Sequence, residues 1–77
     1  MMTTRQREVF NYIAAVAANE GIAPTYREIG KALGLQSMSS VKRIVEGLEE
    51  RGFIRRLPRR ARAIEIIRKD AIHVGKH

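Results

Sequence analysis

Three glycines divide residues 1–52 into three segments, and the apolar residues of each segment recur at the spacing of an amphipathic helix. The glycines are Gly21, Gly34 and Gly52. An apolar residue follows each of the first two. This sequence is typical of a helix end, because glycine adopts the left-handed backbone and the apolar side chain packs back on the last turn. The chain is therefore predicted to contain three short helices joined by tight turns.

Each segment also begins with a hydroxyl residue that is suited to cap a helix. Two of these residues form capping boxes, in which the hydroxyl and a Gln or Glu three residues later each bond a backbone N–H of the first turn. The boxes are Thr3 with Gln6 and Thr25 with Glu28, and Ser37 is the expected cap of the third helix. We therefore place the helices at about residues 3–21, 26–33 and 37–51, with a brief strand at residues 22–23.

Each predicted helix has an apolar stripe that we expect to form the core. In the third helix the stripe matches the full i, i+3, i+4, i+7 pattern. Its members are Val41, Ile44, Val45 and Leu48. The first helix contributes Val9, Phe10, Ile13, Val16 and Ala17, and the second contributes Ile29, Ala32 and Leu33.

The residues after the third helix have the pattern of a β-hairpin, in which FIRRL and RAIEII are the strands and PRRA is the turn. Three helices and then a hairpin, with a short glycine turn between the second and third helices, is the order of a winged helix-turn-helix. That fold is mainly α with a small wing of two or three antiparallel strands. We place the domain at residues 1–67 and expect residues 68–77 to fray, because they show no sustained period.

The charge of +7 is concentrated in the C-terminal third of the chain. Residues 1–50 hold six bases and six acids, whereas residues 51–77 hold nine bases and two acids. Five of those bases are arginines within residues 55–62, around the predicted hairpin turn. Such asymmetry indicates a polyanionic partner. The alternatives are a solubilising tail and charges that protect an edge strand.

The composition argues against an enzyme, a cofactor site or a metal site. The chain has no cysteine, and its two histidines, His73 and His77, lie in the predicted tail, where they form no nucleophile–base pair with the body. It also has no glycine-rich phosphate loop. Neither a signal peptide nor an apolar run long enough for a membrane span is present. We therefore expect a cytoplasmic binding protein with no catalytic residues.

The outward face of the third helix has an unusual order of charges. Ser39, Lys42 and Arg43 come first, and Glu46, Glu49 and Glu50 follow. A helix optimising its own dipole would have acids first and bases last. The observed order suits a helix that enters the DNA major groove by its N-terminal end, where hydroxyls and cations reach bases and phosphates. The alternative is a solvated face with an ion pair between Lys42 and Glu46.

Other cations flank this face in the predicted fold. Arg27 and Lys31 of the second helix are candidate phosphate contacts, and Tyr26 is either a third such contact or a half-buried core residue. Arg59, Arg60 and Arg62, on or beside the hairpin turn, are candidates for the phosphate backbone or the minor groove. Arg55 and Arg56 are neighbours in a strand, so we expect them on opposite faces.

Four fragments, TTRQREVFNYI, PTYREIGKALGLQSMSSV, LEERGFIRR and RAIEII, together resemble the N-terminal DNA-binding domain of LexA-type repressors, with greatest similarity to the Gram-positive type. The resemblance covers about residues 3–67. It implies a winged helix that binds palindromic operator DNA as a dimer, weakly if the chain acts alone, and represses transcription, classically of DNA-damage (SOS) genes. The positions that correspond to the base-reading residues of the family are Ser37, Ser39, Ser40, Lys42 and Arg43.

The chain departs from the family pattern at three places. Lys42 and Arg43 are two adjacent cations where the family does not usually have them, so the operator sequence does not carry over. The wing sequence PRRARA is richer in arginine than is usual. The chain also lacks the Ala-Gly cleavage site and the self-cleaving serine–lysine protease domain of these repressors. We therefore expect either a fragment or a free-standing bacterial or phage regulator.

Two other functions are compatible with the sequence. A winged helix that binds structured RNA would use the arginine-rich wing, although the four aromatic residues leave little for base stacking. A protein-interaction module such as an antirepressor would instead present an exposed apolar patch.

Overall fold

The computed structural model describes residues 2–57 and 64–67. Its elements are α1 (Thr4–Glu20), α2 (Tyr26–Leu33), α3 (Met38–Glu50), β1 (Ile54–Arg56) and β2 (Ile64–Ile66). Three helices and an antiparallel hairpin in this order confirm the predicted winged helix-turn-helix class. No described helix is both long and apolar enough to cross a membrane. The predicted tail at residues 68–77 lies outside the described residues.

The predicted strand at residues 22–23 is wrong, because the described chain is irregular there. Gly21 ends α1 with a left-handed backbone, φ 76°, and Pro24, which has no N–H to donate, follows three residues later. Only two residues therefore remain between the turn and the proline, which is too short a segment for a regular strand.

Both predicted capping boxes are present. In the box that opens α1, the Gln6 N–H donates to Thr3 Oγ1 at 3.1 Å, and the Thr3 N–H donates to Gln6 Oε1 at 3.0 Å. In the box that opens α2, the corresponding distances between Thr25 and Glu28 are 3.1 Å and 2.9 Å. These bonds satisfy N–H groups that a helix start otherwise leaves without a partner.

The core lies between the three helices and the base of the hairpin. Its fully buried apolar side chains are Val9, Phe10, Ile13, Pro24, Ile29, Val41, Val45, Leu48 and Ile54. The ring of Phe53 packs at a tilt against that of Phe10, with 5.7 Å between ring centres. All of the predicted third-helix stripe is buried except Ile44, which is half-buried.

The prediction that Ala32 is buried is wrong, because its side chain is exposed. The residues of α2 that face the core are Ile29 and Gly30, with Leu33 half-buried beside them. At about 100° per residue the centre of that face lies about 110° from Ala32. In α1 Ala14 is buried as well, and the predicted members Val16 and Ala17 are half-buried.

A close contact between α2 and α3 defines the helix-turn-helix. Gly34 ends α2 with φ 70°, and the Leu35 N–H donates to the Gly30 carbonyl at 2.8 Å. A methyl group at Gly30 would lie 3.2 Å from Cγ2 of Val41 and 3.3 Å from the carbonyl oxygen of Leu35. The glycine therefore allows the second helix to approach the third more closely than a larger residue would.

The hairpin strands pair with Ile54 opposite Ile66, Arg55 opposite Glu65 and Arg56 opposite Ile64. Because neighbouring residues of a strand point to opposite faces, Arg56 shares the inward face with Ile54, while Arg55 is on the outer face. The predicted separation of the two arginines is confirmed. The predicted turn, together with Arg59, Arg60 and Arg62 on or beside it, lies in residues 58–63, outside the described residues.

Candidate nucleic-acid interface

The candidate interface starts at the N-terminus of α3, which Ser37 caps as predicted. Ser37 Oγ accepts a hydrogen bond from the Ser39 N–H at 3.1 Å, and the Ser37 carbonyl accepts one from the Ser40 N–H, also at 3.1 Å. The helix follows directly on a four-residue connector from α2. Its first turn is therefore fixed to the helix-turn-helix by local hydrogen bonds.

The five predicted base-reading residues all have exposed side chains in the first turns of α3. They are Ser37, Ser39, Ser40, Lys42 and Arg43. The opposite side of the same helix is anchored in the core by Val41, Val45 and Leu48, which are fully buried. An amphipathic helix held in this way presents its early hydroxyls and cations to solvent, where a DNA groove could receive them.

Lys42 and Arg43 have no ion-pair partner among residues 2–57 and 64–67. The alternative ion pair between Lys42 and Glu46 is absent among the described residues, in which the Glu46 carboxylate accepts from Arg56 Nη1 at 3.5 Å. Both cations are therefore available to a polyanion without first breaking a contact within the described protein.

Two cations of α2, Arg27 and Lys31, are exposed as predicted and lie one helical turn apart. Tyr26, for which two placements were open, is half-buried and packs against the core cluster. The half-buried core placement is therefore confirmed, and a contact of Tyr26 with phosphate stays a prediction.

Arg56 connects β1 to the acidic end of α3. Its Nε donates to Glu49 Oε1 at 2.8 Å, and its backbone N–H points to Glu49 Oε2 at 3.4 Å. The nearby Tyr26 hydroxyl and the Glu49 carboxylate raise the pKa of Arg56 above its ordinary value, despite the opposing effect of burial. The guanidinium therefore stays charged at any pH at which the protein would be used.

Arg55 pairs with a residue of its own hairpin. Its Nε donates to Glu65 Oε1 at 3.1 Å, and Nη2 contacts the same oxygen. The two residues face each other across the strands and are exposed to solvent. Such a pair adds little to stability, but it gives Arg55 an acidic partner that Arg43 and Lys42 lack in the described chain.

The contact between Arg56 and the acids of α3 was not predicted from the sequence. The available signal was the set of acids late in α3, where the helix dipole disfavours them. No group of His, Asp or Glu side chains within the described part of the chain could hold a metal ion.

Comparison with known proteins points to one family. A family model described as the LexA DNA binding domain matches residues 1–63. The LexA repressor of Novosphingobium aromaticivorans is 47% identical over 76 residues, which are 99% of this chain and 32% of that protein. The LexA repressor of Staphylococcus aureus strain NCTC 8325 is 50% identical over 66 residues, 86% of this chain and 32% of the relative. The chain thus spans about a third of the length of these curated relatives.

Proposed function

The chain belongs to the LexA DNA-binding domain family, and we propose on that basis that it binds double-stranded DNA sequence-specifically and represses transcription. The observation that carries the proposal is the first half of α3. Its hydroxyls and two cations are exposed, and those cations have no acidic partner in the described chain. Repression as the outcome of binding is proposed because the curated relatives are named LexA repressors.

In the proposed complex the N-terminal end of α3 enters the major groove. Lys42 and Arg43 contact base edges or phosphates, and Ser37, Ser39 and Ser40 donate to phosphates or bases. An arginine that bonds both acceptors of a guanine is the commonest specific contact of this kind. Because α3 follows directly on the connector from α2, Arg27 and Lys31 are the candidates for the phosphates that flank the groove.

The arginines of residues 58–63 are proposed as a second contact. Arg59, Arg60 and Arg62 would grip the phosphate backbone or the adjacent minor groove. What supports this is their place in the chain, since the segment begins two residues after Arg56, the last residue of β1. The function is binding without chemistry, and because bacterial operators lie in the cytoplasm we place the protein there.

We further propose that the operator is palindromic and that two copies bind it. A single small module buries limited surface on DNA, so a second copy on an inverted half-site would raise the affinity. The dimer would form weakly, on the DNA.

Selection of bound duplexes from a random pool tests the function. We expect one enriched motif, bound much more tightly than a scrambled duplex of equal length. Paired inverted half-sites would support two copies, and a single half-site would support a monomer. Absence of any motif, or displacement of the duplex by structured RNA at equal concentration, would contradict the proposal.

A further inference from the structure

The carboxylate of Glu49, in the C-terminal half of α3, contacts both the side chain and the backbone of Arg56 in the hairpin. Glu49 Oε1 accepts from Arg56 Nε at 2.8 Å, and Glu49 Oε2 faces the Arg56 backbone N–H at 3.4 Å. Because one contact is to the main chain, it fixes the strand itself and not only a side chain. Glu46 adds a longer contact from the same helix.

The position of the contact between Glu49 and Arg56 along the hairpin determines what it restrains. At the base of the hairpin the Ile67 N–H donates to the Phe53 carbonyl at 2.9 Å, and Ile54 is buried in the core. Arg56 is the last residue of β1. Its cross-strand partner Ile64 is also buried in the core. The contact with Glu49 is therefore made at the end of β1, and it restrains the direction of this strand relative to α3.

Stability alone does not account for the arrangement. The side chains of Arg56 and Glu49 are 37% and 34% exposed, and ion pairs of that exposure contribute little to folding. Glu49 contacts both the Nε of Arg56 and its backbone N–H. Two contacts of this geometry fix the orientation of the strand. What it orients is β1 relative to α3, the helix with the candidate base-reading residues.

We propose that Glu49 and Arg56 are a positioning pair for DNA recognition. The pair touches no DNA. It holds the hairpin at the angle to α3 at which both can contact one duplex. This inference rests on the proposed function, since it assigns a role only in a protein that binds DNA through both elements.

Glu49→Ala, compared with Glu50→Ala, tests the pair. Glu50 is the next residue of the same helix, is exposed and has no ion pair among the described residues. Each change removes one negative charge and leaves a strong helix former. Simple electrostatics therefore predicts that both variants bind DNA slightly more tightly than the wild type does.

The positioning role predicts that the two substitutions change the affinity for DNA in opposite directions relative to the wild type, with Glu49→Ala weakening binding and Glu50→Ala slightly strengthening it. We expect Glu49→Ala to bind a mixed-sequence duplex roughly tenfold more weakly than Glu50→Ala does, the size of the loss of one or two phosphate contacts. The slope of log K against log salt should also fall by about one for each lost contact. A role in stability alone would shift the unfolding midpoint and leave the slope of the folded protein unchanged.

Circular dichroism at the assay temperature establishes that each variant is folded. If Glu49→Ala is not, Glu49→Gln is compared with Glu50→Gln, because glutamine keeps the side-chain shape and loses only the charge. Equal affinities and equal salt slopes for the two positions, with a wild type that binds, would overturn the positioning role and leave the proposed function intact. A wild type that binds no duplex at low salt would overturn the function itself.

Discussion

Glu49 of α3 accepts the Nε–H of Arg56 at 2.8 Å, across seven residues of sequence and between a helix and a strand. This contact gives a reason for the acids at the end of α3. They are placed where the helix dipole disfavours them, at a cost of about 0.3–1 kcal/mol each when exposed. Arg56 gives two of these acids, Glu46 and Glu49, a cationic partner that offsets part of this cost.

Replacing Arg43 with alanine is expected to weaken binding to the selected operator by about 1–3 kcal/mol, because a bidentate contact to a base is lost. Specificity should relax at one operator position. Fluorescence anisotropy with selected and scrambled duplexes measures both effects, and Arg51→Ala, at the other end of α3, is the control with equal charge loss. Equal losses of affinity for the selected and the scrambled duplex would show that Arg43 contacts only phosphate.

Replacing Arg59 and Arg60 together with alanine is expected to weaken binding to every duplex and to reduce the salt slope by about two. The reason is that contacts to phosphate release counterions and carry no sequence information. Titrations at several salt concentrations supply the slope. Arg5→Ala/Arg7→Ala at the start of α1 removes the same charge, and a slope change as large in that variant would count against a wing contact.

Replacing Gly30 with valine is expected to destabilise the fold by about 1–3 kcal/mol, the usual cost of overpacking. The added side chain would meet Val41 and the Leu35 carbonyl, which already lie 3.2 Å and 3.3 Å from the position of a Cβ atom. Urea unfolding measures the change. Ala32→Val, on the exposed side of the same helix, is the control for placing a β-branched residue in α2. Valine has a higher helix propensity than glycine, so a loss at Gly30 reports the close contact, and the absence of a loss there would contradict it.

Replacing Thr25 with alanine is expected to cost about 1 kcal/mol of folding free energy, because the Glu28 N–H loses its cap. Thr25→Ser keeps the hydroxyl and should recover most of the loss in the same unfolding measurement. If serine is no better than alanine, the cap contributes nothing to stability.

The contribution of Arg56 to stability is expected not to change between about pH 6 and pH 9. Its pKa is raised in the folded protein, so the stabilisation is fully present below the unfolded pKa and is lost only as the pH rises through the folded one. Both values lie far above neutrality. The difference in unfolding free energy between wild type and Arg56→Gln, measured at both ends of that range, should agree. A difference that shrinks towards pH 9 would show that another group titrates in the contact.

The sequence by itself determined the three helices with their ends and the hairpin, but not the strand expected at residues 22–23. The capping boxes at Thr3 and Thr25, the left-handed stops at Gly21 and Gly34, and the separation of Arg55 from Arg56 were all predicted. Each depends on hydrogen bonds or dihedral angles within a few residues, so a short window contains the whole cause. The exposure of the early polar residues of α3 followed in the same way from its periodicity.

Only the tertiary structure decided how the elements face one another. Ala32 was expected in the core and is exposed, because the rotation of a helix about its axis is set by the shape of the surface it packs on. The close approach at Gly30 and the pairing of Arg56 with Glu49 depend on the same packing. Residues far apart in sequence meet only after the core has fixed the angles between helices and hairpin, and no local pattern contains that information.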